Sequence, residues 1–127
     1  MHTILFTKKG VIWSIVIILI LTILEFPAPI GFETRPQDNV SLWWLLLFVV
    51  ILLTEIITLF TIYKKPSWGA RFGIIAGVLN VAQVIADQMH LMQPELAPFG
   101  YRILENMVAL FSIALIYFSW KILRTHI

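Results

Sequence analysis

The chain has 127 residues, of which 60% are apolar and only 13% charged, and its mean hydropathy is +0.92. Soluble domains carry about 25% charged residues, and a chain this short cannot hide so much apolar side chain inside itself. Lipid is therefore the expected solvent. That excludes a soluble enzyme, a disordered tail and, with no cysteine present, a secreted disulfide scaffold. Thiolate metal sites, Fe–S clusters and cysteine catalysis are excluded on the same ground.

Four apolar segments follow one another along the chain. The first runs over Val11–Phe26 and stops at Pro27-Ala28-Pro29. The second, Leu42–Tyr63, stops at Lys64-Lys65-Pro66, and the third, Phe72–Met92, ends before Pro94. The fourth, Ile103–Leu123, follows the turn residues Pro98 and Gly100. At 1.5 Å per residue, about 20 residues cross the roughly 30 Å hydrocarbon layer. The expectation is a single domain over 1–127, an all-α integral membrane four-helix bundle with helices at about 10–26, 41–63, 69–92 and 99–123. Membrane strands would alternate apolar and polar residues over about ten positions, and these segments do not. A signal peptide is the rival reading of the first segment, because Lys8-Lys9 precede it. No small-residue cleavage site follows, so a retained helix is expected.

Charge sets the expected orientation. Seven of the nine basic residues (Lys8, Lys9, Lys64, Lys65, Arg71, Lys121 and Arg124) fall on one side of the four segments. Arg35 and Arg102 fall on the other, with Glu33, Asp38 and Glu95 in its loops. Both termini are thus predicted to be cytoplasmic, in the plasma (inner) membrane of a bacterium or archaeon, with the 27–41 loop outside. Trp13, Tyr63, Trp68 and Trp120 should mark the inner interface, and Trp43, Trp44 and Tyr101 the outer one. The sequence pI of about 9.2 is thereby explained by topology. The basic residues form no groove, so nucleic acid is not an expected partner, although anionic headgroups remain an attractive surface for them.

Polar residues inside the spans carry the rest, since each is costly in lipid and must face protein or water. At about 100° per residue, Asn80, Gln83, Asp87 and His90 share an arc of roughly 80° on helix three. Gly73, Ala76 and Gly77 lie on or beside that stripe, so Gly73-x-x-x-Gly77 reads as a packing seam within the bundle. Helix two brings Glu55 to mid-depth, with Thr54, Thr58 and Thr61 continuing a polar arc toward the cytoplasmic side. Helix four carries Arg102, Glu105, Ser112 and Ser119 on one stripe, while helix one adds Ser14, Thr22 and Glu25. The expected object is a polar interior, wettest at the outer end, with a pocket opening outward and Glu55 beneath its floor. Glu25, Glu55, Asn80, Gln83, Asp87, His90, Arg102 and Glu105 are its candidate residues.

The bland account of this end is a paired Asp87–His90–Glu105–Arg102 cluster that locks the bundle. Asp87-x-x-His90 has the spacing of a helix-bundle metal site, but one histidine at that depth is few for a metal, and a bis-histidine haem within one chain is excluded. No cofactor and no metal are therefore expected. Glu55 costs about 2.5–3.5 kcal/mol at mid-bilayer on insertion scales. It must either stay protonated and donate to Asn80, Gln83 or a carbonyl, or release and take protons. Ser112 lies too far in depth from His90 for a catalytic dyad. The preferred function is a non-catalytic accessory or small-ligand-binding module with the bilayer as partner, and a second copy or larger membrane complex beside it. A proton or cation pathway through Asp87, Glu105 and Glu55 is the first alternative. A membrane enzyme using His90 or an acid on a lipid-soluble substrate is the second.

Overall fold

The computed structural model describes residues 2–25, 42–89 and 99–125. They form four helices: α1 (His2–Leu24), α2 (Leu42–Lys64), α3 (Pro66–Gln88) and α4 (Phe99–Thr125). The first three have 23 residues each, which corresponds to about 34 Å of helix. All four are long and apolar enough to cross a membrane. The 27–41 segment, together with His90, Glu95 and the side chains of Trp43, Trp44 and Tyr101, falls beyond the described residues.

The helix ends depart from the sequence expectation for local reasons. α1 starts at His2, well before residue 10. Lys8 and Lys9 are good helix formers, and Gly10 lies where the Phe118 ring fills the place of a side chain, 2.9 Å from an ideal Cβ. α3 begins at Pro66 rather than 69, since proline is pre-set for the first helical turn and has no N–H to leave unpaired there. Only Lys65 separates α2 from α3; its φ of −135° and ψ of 77° match the extended bias of a residue before proline. Its N–H still donates to Thr61 O at 2.8 Å, and its own carbonyl accepts from the Gly69 N–H at 2.9 Å. The chain thus reverses around one residue. Gly69 makes this possible, because a Cβ there would sit 2.7 Å from the Ile62 Cα. α3 stops at Gln88, four residues before the expected end.

Each helix packs on its neighbour in the order α2–α3–α4–α1, with the most extensive contact between α3 and α4. α1 and α2 scarcely touch, so the fourth side of the bundle is the weak one. Neighbouring helices run antiparallel: Gly69 meets Ile62, Gly77 meets Ser112 and Ile116, and Gly10 meets Phe118. The Gly73/Gly77 pair faces α4, as the shared direction with the polar stripe predicts. A Cβ at Gly77 would lie 2.8 Å from the Ser112 carbonyl oxygen, and one at Gly73 would collide with Ser119 Oγ. In an apolar solvent such close backbone approach supplies helix association through dispersion.

The bundle has two unlike halves. Toward the end that holds Lys8, Lys64, Arg71, Lys121 and Arg124, the interior is mostly apolar: Val11, Ile15, Ile62, Leu115 and Ile122 are essentially inaccessible, and the small polar Ser14 and Ser119 are buried there as well. At the surface of that end, basic side chains lie over aromatic rings. Arg71 stands 4.7 Å from the Trp68 ring, Arg124 5.0 Å from Trp120, and Lys8 5.8 Å from Tyr63. The outer surface between the ends is strongly apolar, with Phe60 73% exposed and Leu53, Val78, Leu110 and Ile113 more than half exposed. An apolar exterior this continuous is far larger than a soluble monomer tolerates. The four helices suggest a membrane protein.

Candidate functional site

The buried carboxyl and amide side chains lie in the other half of the bundle. The stripe on α3 turns inward: Gly73, Ala76, Gly77, Asn80, Val84 and Asp87 are all buried, whereas Val78, Ala82 and Ile85 on the opposite side are exposed. α4 buries Glu105, Ser112 and Ser119, α2 buries Glu55 and Thr58, and α1 buries Ser14 and Thr22. On α3 the polar stripe and the buried face coincide.

All four helices contribute to one cavity toward this end. Thr22 and Glu25 come from α1; Phe48, Ile51 and Leu52 from α2; Asn80, Gln83 and Val84 from α3; Glu105 and Val108 from α4. The cavity spans about 360 Å³ including the space continuous with the outside. Its interior is narrow, with room for about one water molecule.

Glu55 lies one turn further along α2 than Ile51, and it is completely buried. Asn80 Nδ2 donates to its Oε1 at 2.8 Å and also to the Ala76 carbonyl at 3.1 Å. A carbonyl can only accept, so the second bond orients the amide with its NH₂ toward Glu55. Glu55 Oε2 is buried with no hydrogen-bond partner, and so is Gln83 Nε2. The nearby hydroxyls are spent on their own helices. Thr58 donates to Thr54 O, Thr54 to Ile51 O and Ser112 to Val108 O, at 2.6–2.8 Å. Thr54 and Thr61 are only partly buried, so of the threonine arc expected on α2 just Thr58 faces the core.

Of the eight candidate residues, Glu25, Asn80, Gln83 and Glu105 line the cavity, and Glu55 joins it through Asn80. Asp87 is fully buried on the same side of α3, and Arg102 is half-buried at the start of α4. Glu25, Asp87, Arg102 and Glu105 all have interaction partners, as ionisable groups in an apolar bundle must. His90 lies outside the described residues. Gln88 and Asn106 form an exposed 3.0 Å hydrogen bond between α3 and α4. Among the described residues no three of His, Asp and Glu gather to hold a metal ion. The apolar lining from Phe48, Ile51, Leu52, Val84 and Val108 carries no signal in the sequence, because these residues sit in unbroken apolar runs. No protein family, curated protein or solved structure matches the chain.

Proposed function

We propose that the chain is an integral protein of the plasma (inner) membrane with four spans and both termini cytoplasmic. In this reading its outward-facing cavity binds a small polar ligand without catalysing a reaction on it. The apolar exterior supports insertion. The gathering of seven of nine basic residues at one end, with aromatic rings beneath four of them, supports the orientation. Acting as an accessory module, it would stand beside a second copy or a larger membrane assembly.

The observation that carries the binding reading is the cavity at the acidic end. Two carboxylates and two amides converge there from three helices, with an aromatic and aliphatic wall on the fourth. Few polar groups within an apolar lining is the general pattern of a small-ligand site. The cavity also borders the helix pair that touches least, α1 and α2, so a modest separation of these two would widen it.

The test uses the absence of native cysteine. Gln83→Cys should react with a small cationic methanethiosulfonate added outside intact cells, while Ala82→Cys, on the exposed apolar face of α3, should not. An unreactive Gln83→Cys in a folded protein would mean that this end is a dry structural lock. For orientation, Gln37→Cys should label with an impermeant maleimide on intact cells, and Thr125→Cys only after permeabilisation. The reverse pattern refutes the orientation.

A further inference from the structure

Glu55, fully buried in the middle of α2, is left with half of its hydrogen-bonding capacity unused. Glu55 Oε1 accepts from Asn80, but Oε2 has no partner although the residue is completely buried. On α3, three residues beyond Asn80 toward the cavity mouth, the buried Gln83 Nε2 is an unpartnered donor. The orphan donor Gln83 and Asn80 both line a cavity with room for about one water, and the orphan acceptor of Glu55 lies just behind Asn80, to which its other oxygen is bonded. Leaving such atoms unpaired is costly, and a water with two to four polar partners removes the cost.

We propose that Glu55 is a proton-exchange site reached only from the acidic end, through one water held between its carboxyl and the Gln83 amide. The carboxyl O–H proton passes to this water while its bonding electron pair stays on Glu55. The water in turn releases a proton to solvent at the cavity mouth, and loading runs through the same steps in reverse. The groups presented to the site favour a proton over a metal cation. Asn80, oriented by the Ala76 carbonyl, turns an N–H donor toward Glu55, which suits a carboxyl or water and repels a bare cation.

Access from the other end is closed. The Thr58 and Ser112 hydroxyls are committed to backbone carbonyls, and beyond them lie the inaccessible side chains of Ile15, Ile62 and Leu115. Gly77 presses α3 directly onto the Ser112 backbone, and the Ser119 hydroxyl, buried with no hydrogen-bond partner, lies close against Gly73. Toward the acidic end the helices around Glu55 carry Glu25 next to α1, Asp87 on α3, and Arg102 and Glu105 on α4, while Lys8, Lys9, Lys64, Arg71, Lys121 and Arg124 all lie at the opposite end. The site is accordingly a dead-end proton store, which distinguishes it from a channel.

This inference rests on the wet-cavity reading above, yet fails separately from it. Infrared difference spectra of the full chain in phosphatidylcholine liposomes, taken over a pH series in H₂O and D₂O, provide the test. A carboxylic-acid carbonyl band should be absent in Glu55→Gln and should shift rapidly on D₂O exchange in the unmodified protein. Exchange should slow at least about tenfold in Gln83→Leu, which removes the water's donor. Gln83→Met serves as a second variant if the leucine protein does not fold. A potassium diffusion potential should drive no Glu55-dependent proton uptake. The proposal is overturned if no Glu55-dependent band occurs, if exchange is indifferent to residue 83, or if Glu55 supports transmembrane flux. Reactivity of Gln83→Cys alongside any of these would leave the cavity standing and remove only the proton site.

Discussion

Gly77→Ala adds one methyl group where α3 lies directly against the α4 backbone. The new Cβ would lie 2.5 Å from Ile116 Cγ1 and 2.8 Å from the Ser112 carbonyl oxygen. The isoleucine can turn aside, but the carbonyl belongs to the α4 backbone and cannot. Reaching ordinary separation near 3.5 Å needs about 0.7 Å of retreat by α4, and a gap of that size forfeits a quarter to a half of each dispersion contact along the seam. Overpacking of this kind costs about 1–3 kcal/mol, against which alanine recovers up to about 1 kcal/mol of helix preference. The expected net loss is about 1–2 kcal/mol. Gly73→Ala provides the contrast, since its obstacle is the Ser119 hydroxyl. That hydroxyl can swing toward its own helix as Ser112 does, so Gly73→Ala should cost less, and Ser119→Ala should remove the remainder. Ser112→Ala should not rescue Gly77→Ala, because the backbone oxygen stays. Reversible unfolding in mixed micelles, followed by the fluorescence of the five tryptophans, measures all of these. The reasoning is refuted if Gly77→Ala matches the unmodified protein, or if Ser112→Ala restores it.

Three further outcomes follow from the polar interior. Asn80→Leu should destabilise the bundle by about 1–3 kcal/mol, because it strips Glu55 of its partner. Glu55→Leu should cost less, since Asn80 keeps the Ala76 carbonyl; equal losses in the same unfolding assay would contradict this asymmetry. Glu55→Gln should stay within about 0.6 kcal/mol of the unmodified protein, as the Asn80 bond survives and interhelical hydrogen bonds in membranes average that value. A larger loss in its unfolding midpoint would show that the charge itself holds the fold. Gln88→Ala breaks an exposed bond and should change stability by less than about 0.5 kcal/mol, which thermal unfolding in detergent checks.

The sequence carries the interior of this bundle more clearly than its edges, for a physical reason. Exclusion from an apolar solvent acts on every polar side chain in a helix, so Asn80, Asp87, Glu105 and Ser112 reveal the inward direction through spacing alone. Helix ends depend on smaller preferences. Lys8 and Lys9 read as a flanking signal, yet nothing in them opposes helix, and α1 extends to His2. Pro66 reads as a stop, but it is equally suited to a first turn, and α3 begins on it. Partner choice is harder still. The Asn80–Glu55 bond joins residues 25 apart, and its prediction needs the relative depth and rotation of two helices together. Gly69 escaped notice because its role, admitting the Ile62 backbone, belongs to the hairpin and not to any stripe. The cavity wall was illegible for the opposite reason, since Phe48 and Ile51 look like any other members of an apolar run.

The unequal packing of the four sides links this architecture to its proposed chemistry. α3 is held on α4 by glycines that admit backbone contact, and on α2 by a one-residue turn with Gly69 beneath it. Neither interface can open by a small amount without losing close contacts along its length. α1 has no such tie to α2 and is held chiefly by α4, with Gly10 receiving the Phe118 ring near the basic end. A tilt of α1 about that anchored end would move Thr22 and Glu25 most, because displacement grows with distance from the pivot. The cavity would widen there while Glu55, Asn80 and Gln83, fixed on the two rigidly joined helices, kept their relation. Crosslinking offers a direct check. A disulfide between cysteines at Thr22 and Ile51 should suppress labelling of Gln83→Cys, whereas one between Val11 and Ile62 should leave it unchanged; equal suppression by both would exclude the pivot at the basic end, and no effect of the Thr22–Ile51 bond would exclude α1 as the moving part.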